Sequence, residues 1–160
     1  MISASDLIDE LGLQRHPEGG WFVETFRSPN TVTTDDGRVR SASTAIFFLL
    51  ERGDFSAWHS VASDEAWMFH AGAPLALHLL DETDHREIWL GADVATGQRP
   101  QFVVPAGVLQ AAHSTGEWTL VSCTVAPGFD FADFEMPDRD TLQQQFPQHP
   151  DAVERFTRVD

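Results

Sequence analysis

Two side chains near the middle of the chain carry the clearest chemistry. His59 precedes Glu65 within the series Gly53, His59, Val61, Glu65 and Gly72. An imidazole titrates near neutral pH, and a carboxylate beside it orients the ring and raises its basicity. The two therefore read as a general acid/base pair, with a satisfied buried polar pair as the competing reading. Residues two apart on an extended strand share a face. Val61 should therefore lie on the side of His59, Trp67 on the side of Glu65, and Trp58 on the opposite side. Trp67 then offers an apolar wall for a ring-shaped ligand, with plain core packing as its alternative. Downstream, Pro105-Ala106-Gly107 is followed by Gln110. The other histidines near these groups fit less well. His70 falls on the face opposite Glu65, His113 is at an odd spacing from Gln110, and His78 alternates with Leu77 and Leu79 on a strand whose inward face the pattern leaves open.

What the chain lacks narrows the chemistry further. Its 10 basic residues are all Arg, and it has neither Lys nor Tyr. This excludes a Schiff-base nucleophile, a pyridoxal-phosphate attachment, a P-loop lysine and any phenolic general acid. With 160 residues, 42% hydrophobic and 22% charged, the composition is that of one globular domain spanning 1–160. A net charge of −15 opposes phosphate backbones, and the densest basic stretch, Arg38 to Arg40, stands beside Asp35 and Asp36. No nucleic-acid partner is expected. Cys123, the single cysteine, sits in the apolar run Trp118 to Val125 and reads as a buried strand residue rather than a nucleophile. The opening Met-Ile-Ser-Ala-Ser-Asp has no charged or apolar leader pattern. The longest strongly apolar run, Ala45 to Leu50, falls far short of the ~20 residues that cross a bilayer. A cytoplasmic protein with no membrane partner is expected.

The elements that must position these groups are mostly short. Ser3 to Leu13 reads as a helix capped by Ser3 or Ser5 and stopped by Gly12, with Leu7, Ile8 and Leu11 on one stripe. His16-Pro17-Glu18-Gly19-Gly20 is a turn whose glycines need positive φ, leading into a strand over Trp21 to Arg27. Asn30 to Gly37 reads as a polar loop with a hairpin-type turn at Asp36-Gly37. Short apolar or alternating runs follow at 44–51, 55–60, 65–70, 75–81, 86–91, 101–104, 109–113 and 118–125, separated by turn residues. So many short strands predict an all-β sandwich or barrel. The tail returns to helix at 138–146 and 150–158, capped by Asp138 and Asp151.

The series from Gly53 to Gly72 and the Pro105–Gln110 segment resemble the cupin motif pair, G-x5-H-x-H-x3–4-E-x6-G followed by P-x-G-x2-H. Further stretches resemble one branch of that superfamily, the Cupin_5 group built on a domain of unknown function. They include His16 to Gly20, Glu24-Thr25 with Arg27-Ser28, Ser43 to Ile46, Asp64-Glu65 with Trp67, Val104 to Gly107 and Val125 to Phe131. The resemblance implies an all-β, cupin-type jelly-roll β-barrel with a short N-terminal helix and C-terminal helices. It also implies a homodimer with a ligand cavity in the barrel mouth.

In that frame Glu18, Glu24 and Arg27 fall at the cavity rim, with Arg27 the partner for a carboxylate or phosphate on the ligand. Trp67 and Gln110 complete the expected ligand-binding set, while Phe129, Phe131 and Phe134 are assigned to the core or a dimer face. Metal-binding cupins carry His where this chain has Val61 and Gln110. What remains is His59, Glu65 and Gln110, a reduced set for a divalent ion such as Zn, Ni, Fe or Mn. No cofactor is therefore expected, with this metal set as the alternative. The leading functional reading is a small-molecule-binding cupin whose ligand is a sugar-like or other small polar metabolite. Against it stand an isomerase- or epimerase-like enzyme that moves a proton with His59 and Glu65 as the catalytic residues, and a metal-dependent enzyme on the reduced set. The dTDP-sugar epimerase cupins that this branch resembles pair a His base with a Tyr acid, and this chain has no Tyr.

Overall fold

The computed structural model describes residues 2–159. Helix α1 (Ala4–Leu11) opens the chain. Its start is set by Ser3, whose side chain accepts from the Asp6 amide while Asp6 reaches back to the Ser3 amide, and its end by Gly12 in the left-handed region. Thirteen strands follow: β1 (Gln14–Arg15), β2 (Trp21–Arg27), β3 (Thr31–Thr33), β4 (Val39–Ser41), β5 (Thr44–Glu51), β6 (Phe55–Val61), β7 (Asp64–Gly72), β8 (Leu75–Leu80), β9 (His85–Leu90), β10 (Gln101–Val104), β11 (Leu109–Ser114), β12 (Trp118–Ala126) and β13 (Phe134–Glu135). Helices α2 (Arg139–Gln145) and α3 (Pro150–Arg155) close it. Asp138 caps α2 through the Thr141 amide. The cap position of α3 is His149 rather than Asp151, because Pro150, which has no N–H to satisfy, occupies the first turn. The expected loop at 30–37 is partly strand: β3 pairs with β4, and only residues 34–38 form the turn between them.

Two antiparallel sheets face each other. One has six strands in the order β1-β2-β5-β12-β7-β10, the other five in the order β13-β6-β11-β8-β9. The expected jelly-roll β-barrel is not what forms. Among the described residues no sheet closes on itself. The six-stranded sheet ends at β1 and β10, the five-stranded one at β13 and β9, and no ladder joins those edges. Closure requires edge strands to exchange backbone hydrogen bonds. Here β1 and β13 are two residues long and β10 four, too short to carry a ladder across. Each of the nine expected strands forms, and four short ones that the pattern did not show, β1, β3, β4 and β13, join them, but the closed topology does not form.

Alternation decides what each face buries. Phe48 and Leu50 of β5, Trp67 of β7, Leu75, Leu77 and Leu79 of β8 and Val121 of β12 interdigitate between the sheets. The outer face of the six-stranded sheet packs Leu49 and Leu120 under Leu7 of α1. The outer face of the five-stranded sheet packs Trp58, Leu80 and Ala111 under Leu142, Val153 and Phe156 of the C-terminal segment. Strand β8 is therefore buried along its whole length, covered by core on one side and helices on the other. His78 lies on the helical side. Its Nδ1 is 3.1 Å from His85 Nε2, its Nε2 is 3.3 Å from His113 Nδ1, and Arg155 donates onward to His113 Nε2. Among the described residues no helix is long and apolar enough to cross a membrane.

Candidate functional site

A cavity of about 310 Å³ opens between the sheets, at the end where β6 and β13 face β2, β5, β7 and β12. That volume suits a small metabolite. Its polar lining comes from His16 and Glu18 in the turn before β2, Glu24 and Arg27 on β2, His59 on β6, Glu65 on β7 and Asp130. Its apolar lining includes Phe22, Phe48, Phe129, Phe131 and Phe134.

Glu18 is held from every side. The Gly19-Gly20 turn adopts φ of +105° and +76°, and a Cβ on Gly19 would collide with the Phe55 carbonyl oxygen. Only glycine allows so close an approach to β6 at positive φ. The Glu18 carbonyl accepts from the Ala57 amide at 2.8 Å and from Arg158 Nη1 at 2.7 Å. Its amide donates to His16 Nδ1 at 3.2 Å. Its carboxyl Oε1 accepts from the Ser56 hydroxyl at 2.9 Å, and Oε2 lies 3.2 Å from His59 Nε2.

These contacts fix the tautomers. His59 Nδ1 is 2.7 Å from the Ala57 carbonyl oxygen, which can only accept, so Nδ1 carries the proton and the Nε2 lone pair faces Glu18. His16 Nδ1 accepts from the Glu18 amide, so its proton resides on Nε2. Burial pushes the Glu18 carboxyl up to about 8, moderated by Ser56 and Arg158. It also holds the His59 imidazole below its usual range. His16 is lowered to about 4 by burial and by the neighbouring His59. Glu18 and His59 thus approach at 3.2 Å as a carboxyl whose proton affinity burial raises and an imidazole whose proton affinity burial lowers.

Glu65 lines the same cavity, raised to about 7 chiefly by burial. Its Oε2 accepts from Gln110 Nε2 at 2.9 Å, and Gln110 Oε1 accepts from the Trp67 indole N–H at 2.8 Å. The indole can only donate, so it fixes which way the amide of Gln110 points. Trp67 and Gln110 do not line the cavity; they stand behind Glu65 and hold it. Both ends of the Gln110 amide are thus engaged by protein partners, the oxygen by Trp67 and the nitrogen by Glu65. Among the described residues, no three His, Cys, Asp or Glu side chains are grouped as a metal site.

The sequence pairs His59 with Glu65, and the structure brings both into one cavity, but the carboxyl in contact with the imidazole is that of Glu18. Glu24 and Arg27 stand at the mouth, bound to each other. Arg27 Nε and Nη2 donate to the two Glu24 carboxylate oxygens at 2.8 and 2.9 Å, and Nη2 also donates to the Phe129 carbonyl at 3.1 Å. Cys123 faces the cavity too, and burial pushes its thiol well above the usual range, which disfavours the thiolate. Sequence reasoning missed His16 as a site residue and assigned the three phenylalanines elsewhere. Phe134 stacks on His59 with centroids 5.4 Å apart, and Phe129 and Phe131 pack against it from the rim. An imidazole two residues before a glutamate, next to a glycine pair, was the available signal for His16.

The family model for the cupin superfamily group Cupin_5 (DUF985) matches residues 5–137, and the chain belongs to that family. A hypothetical protein from Leishmania major superposes with a TM-score of 0.94 at 34% identity, covering 99% of this chain and 100% of that one. Protein SO0799 from Shewanella oneidensis does so with a TM-score of 0.93 at 36% identity, covering 100% of both. The uncharacterized protein YML079W of Saccharomyces cerevisiae is 29% identical over 147 residues, which are 82% of this chain and 73% of that protein.

Proposed function

We propose that this Cupin_5 protein binds a small polar metabolite in the cavity between its sheets. The observation that carries the reading is the convergence of His59, Glu18 and Glu65 on one aromatic-walled space of about 310 Å³. A few convergent polar groups in an otherwise apolar pocket is the pattern of a ligand site, and perturbed titration of those groups strengthens it. Equilibrium dialysis of untagged protein against a metabolite extract, with mass-spectrometric readout, tests it. At least one small molecule should be retained saturably by the wild type and lost in Phe134→Ala. Retention of nothing beyond a control protein would sink the reading.

The 3.2 Å contact between His59 Nε2 and Glu18 Oε2 favours a second reading, proton transfer on the bound molecule. In it His59 takes a proton from a carbon acid and Glu18 or Glu65 returns one, each step moving one proton and no other atom. Run in D₂O, the wild type would then wash deuterium into the retained metabolite and His59→Gln would not. Binding without exchange leaves a binding protein only.

A further inference from the structure

We propose that the cavity selects a small organic cation, an amine or quaternary ammonium with an apolar body, over carboxylates, phosphates and neutral polyols. The inference rests on the binding role proposed above and names the class of ligand. It follows from the charges around the cavity. Four carboxyl groups line it, Glu18, Glu24, Glu65 and Asp130, against one guanidinium, Arg27. Arg27 is already spent on both Glu24 oxygens and on the Phe129 carbonyl. It is therefore not a free anchor for an anionic ligand.

The two deep carboxyls have no such partner. Glu18 and Glu65 are 6% and 7% exposed, and what faces them is Ser56, His16 and His59 around the first, and Gln110, His59 and Cys123 around the second. All of these are neutral at physiological pH in the arrangement described. Arg158, whose charge offsets the burial of Glu18 only in part, lies behind the turn. It bonds the backbone carbonyls of Glu18 and Phe55, and its charge is answered by Asp54 at 3.0 Å.

Buried carboxyls are rare unless paired, because desolvation penalises their ionised form. Burial raises both groups here for that reason. A cation entering the cavity supplies the counter-charge that the protein withholds. The surrounding phenylalanine rings suit the same ligand, since aromatic π faces attract ammonium groups and solvate apolar substituents. At longer range a net charge of −15 draws cations toward the mouth and repels anions.

Isothermal titration calorimetry on untagged protein, in neutral buffer containing EDTA, separates the alternatives. Choline is compared with its neutral isostere 3,3-dimethylbutan-1-ol, benzylammonium with benzyl alcohol, and benzoate serves as the anion. At least one ammonium should bind about tenfold or more tightly than its isostere, with benzoate weakest. The preference should collapse in the isosteric double variant Glu18→Gln/Glu65→Gln. The isostere comparison on the wild type needs no variant, so a misfolded variant would not obscure it. Equal or tighter binding of the alcohols or of benzoate overturns the proposal, as does silence of every ammonium. Omitting EDTA and finding Zn²⁺ bound while the ammonium compounds stay silent assigns the carboxyls to a metal and overturns it too. A neutral or anionic metabolite recovered by dialysis removes the charge assignment and leaves the cavity's binding role intact. A cavity that retains nothing removes both.

Discussion

At the scale of single residues, Glu18 joins three functions in one side chain. Its backbone anchors the turn, its carboxyl meets His59, and its burial raises its proton affinity to about 8 from an ordinary 4.5. The unfolded chain loses this proton near 4.5, while the folded chain holds it until about 8. Unfolding therefore releases a proton between those values, and the stability associated with Glu18 is full below 4.5 and lost as pH rises toward 8. Glu18→Gln removes that loss. Its melting temperature relative to wild type should climb by a few degrees between about pH 5 and about pH 9, measured by circular dichroism. A constant difference across that range would show that the group is not desolvated as described. His16 works in the opposite direction: lowered to about 4, it costs stability as pH falls through 6.5. His59 and Glu65 were legible as chemistry because both sit in a spaced motif on strands. Arg27 was legible only as a charge, and its commitment to Glu24 depends on side-chain geometry across a bulge in β2.

At the scale of elements, the site is held by a segment remote in sequence. Phe156 follows α3 and packs on Trp58 from the outer face of β6, with ring centroids 5.7 Å apart, while its carbonyl accepts from the Trp58 amide. Two residues on, Arg158 clamps the Glu18 and Phe55 carbonyls and lies over the Phe55 ring. The family match stops at residue 137, so this strap is outside it. Arg158→Gln should cost ~1–2 kcal/mol in urea unfolding, the value of partly exposed charged hydrogen bonds. It should also shift the ¹⁵N resonance of His59 Nε2, because the turn carrying Glu18 is released. Arg139→Gln, which unties the same tail from Thr157 instead, should cost stability without moving that resonance. Identical spectra for the two variants would mean that the strap only stabilises and does not position. The period-2 pattern placed Trp58 opposite His59 correctly, because alternation is a property of one strand. It could not show that β8 is covered on both faces, since its outer cover comes from α2 and α3, which lie beyond a long stretch of chain.

At the scale of the whole molecule, the fold is a stack: α1, a six-stranded sheet, a shared core, a five-stranded sheet, and the C-terminal helices. Its formal charge of −15 on 160 residues makes self-repulsion a global cost. Moderate salt screens that repulsion over about 10 Å. The melting temperature should therefore rise by several degrees between low ionic strength and about 0.5 M NaCl, before any salting-out effect of the anion. A flat or falling profile would mean that local pairs such as Arg40 and Arg38 with Asp133 outweigh the net charge.

The longer strands and the helices, the residues that alternate, the cupin-like motif series and the absence of lysine and tyrosine chemistry are all legible in the amino-acid sequence, while the short strands β1, β3, β4 and β13 are not. The legible features are local quantities, set by backbone period, turn residues and side-chain type. The three-dimensional packing shows that His59 meets Glu18, that Gln110 bridges Trp67 and Glu65, that Arg27 is bound to Glu24 at the rim, and that the sheets remain open. Each of these depends on what lies across the gap between two sheets or beyond a sheet edge. Strand periodicity tells which side of a strand a residue takes, and packing alone tells what it finds there.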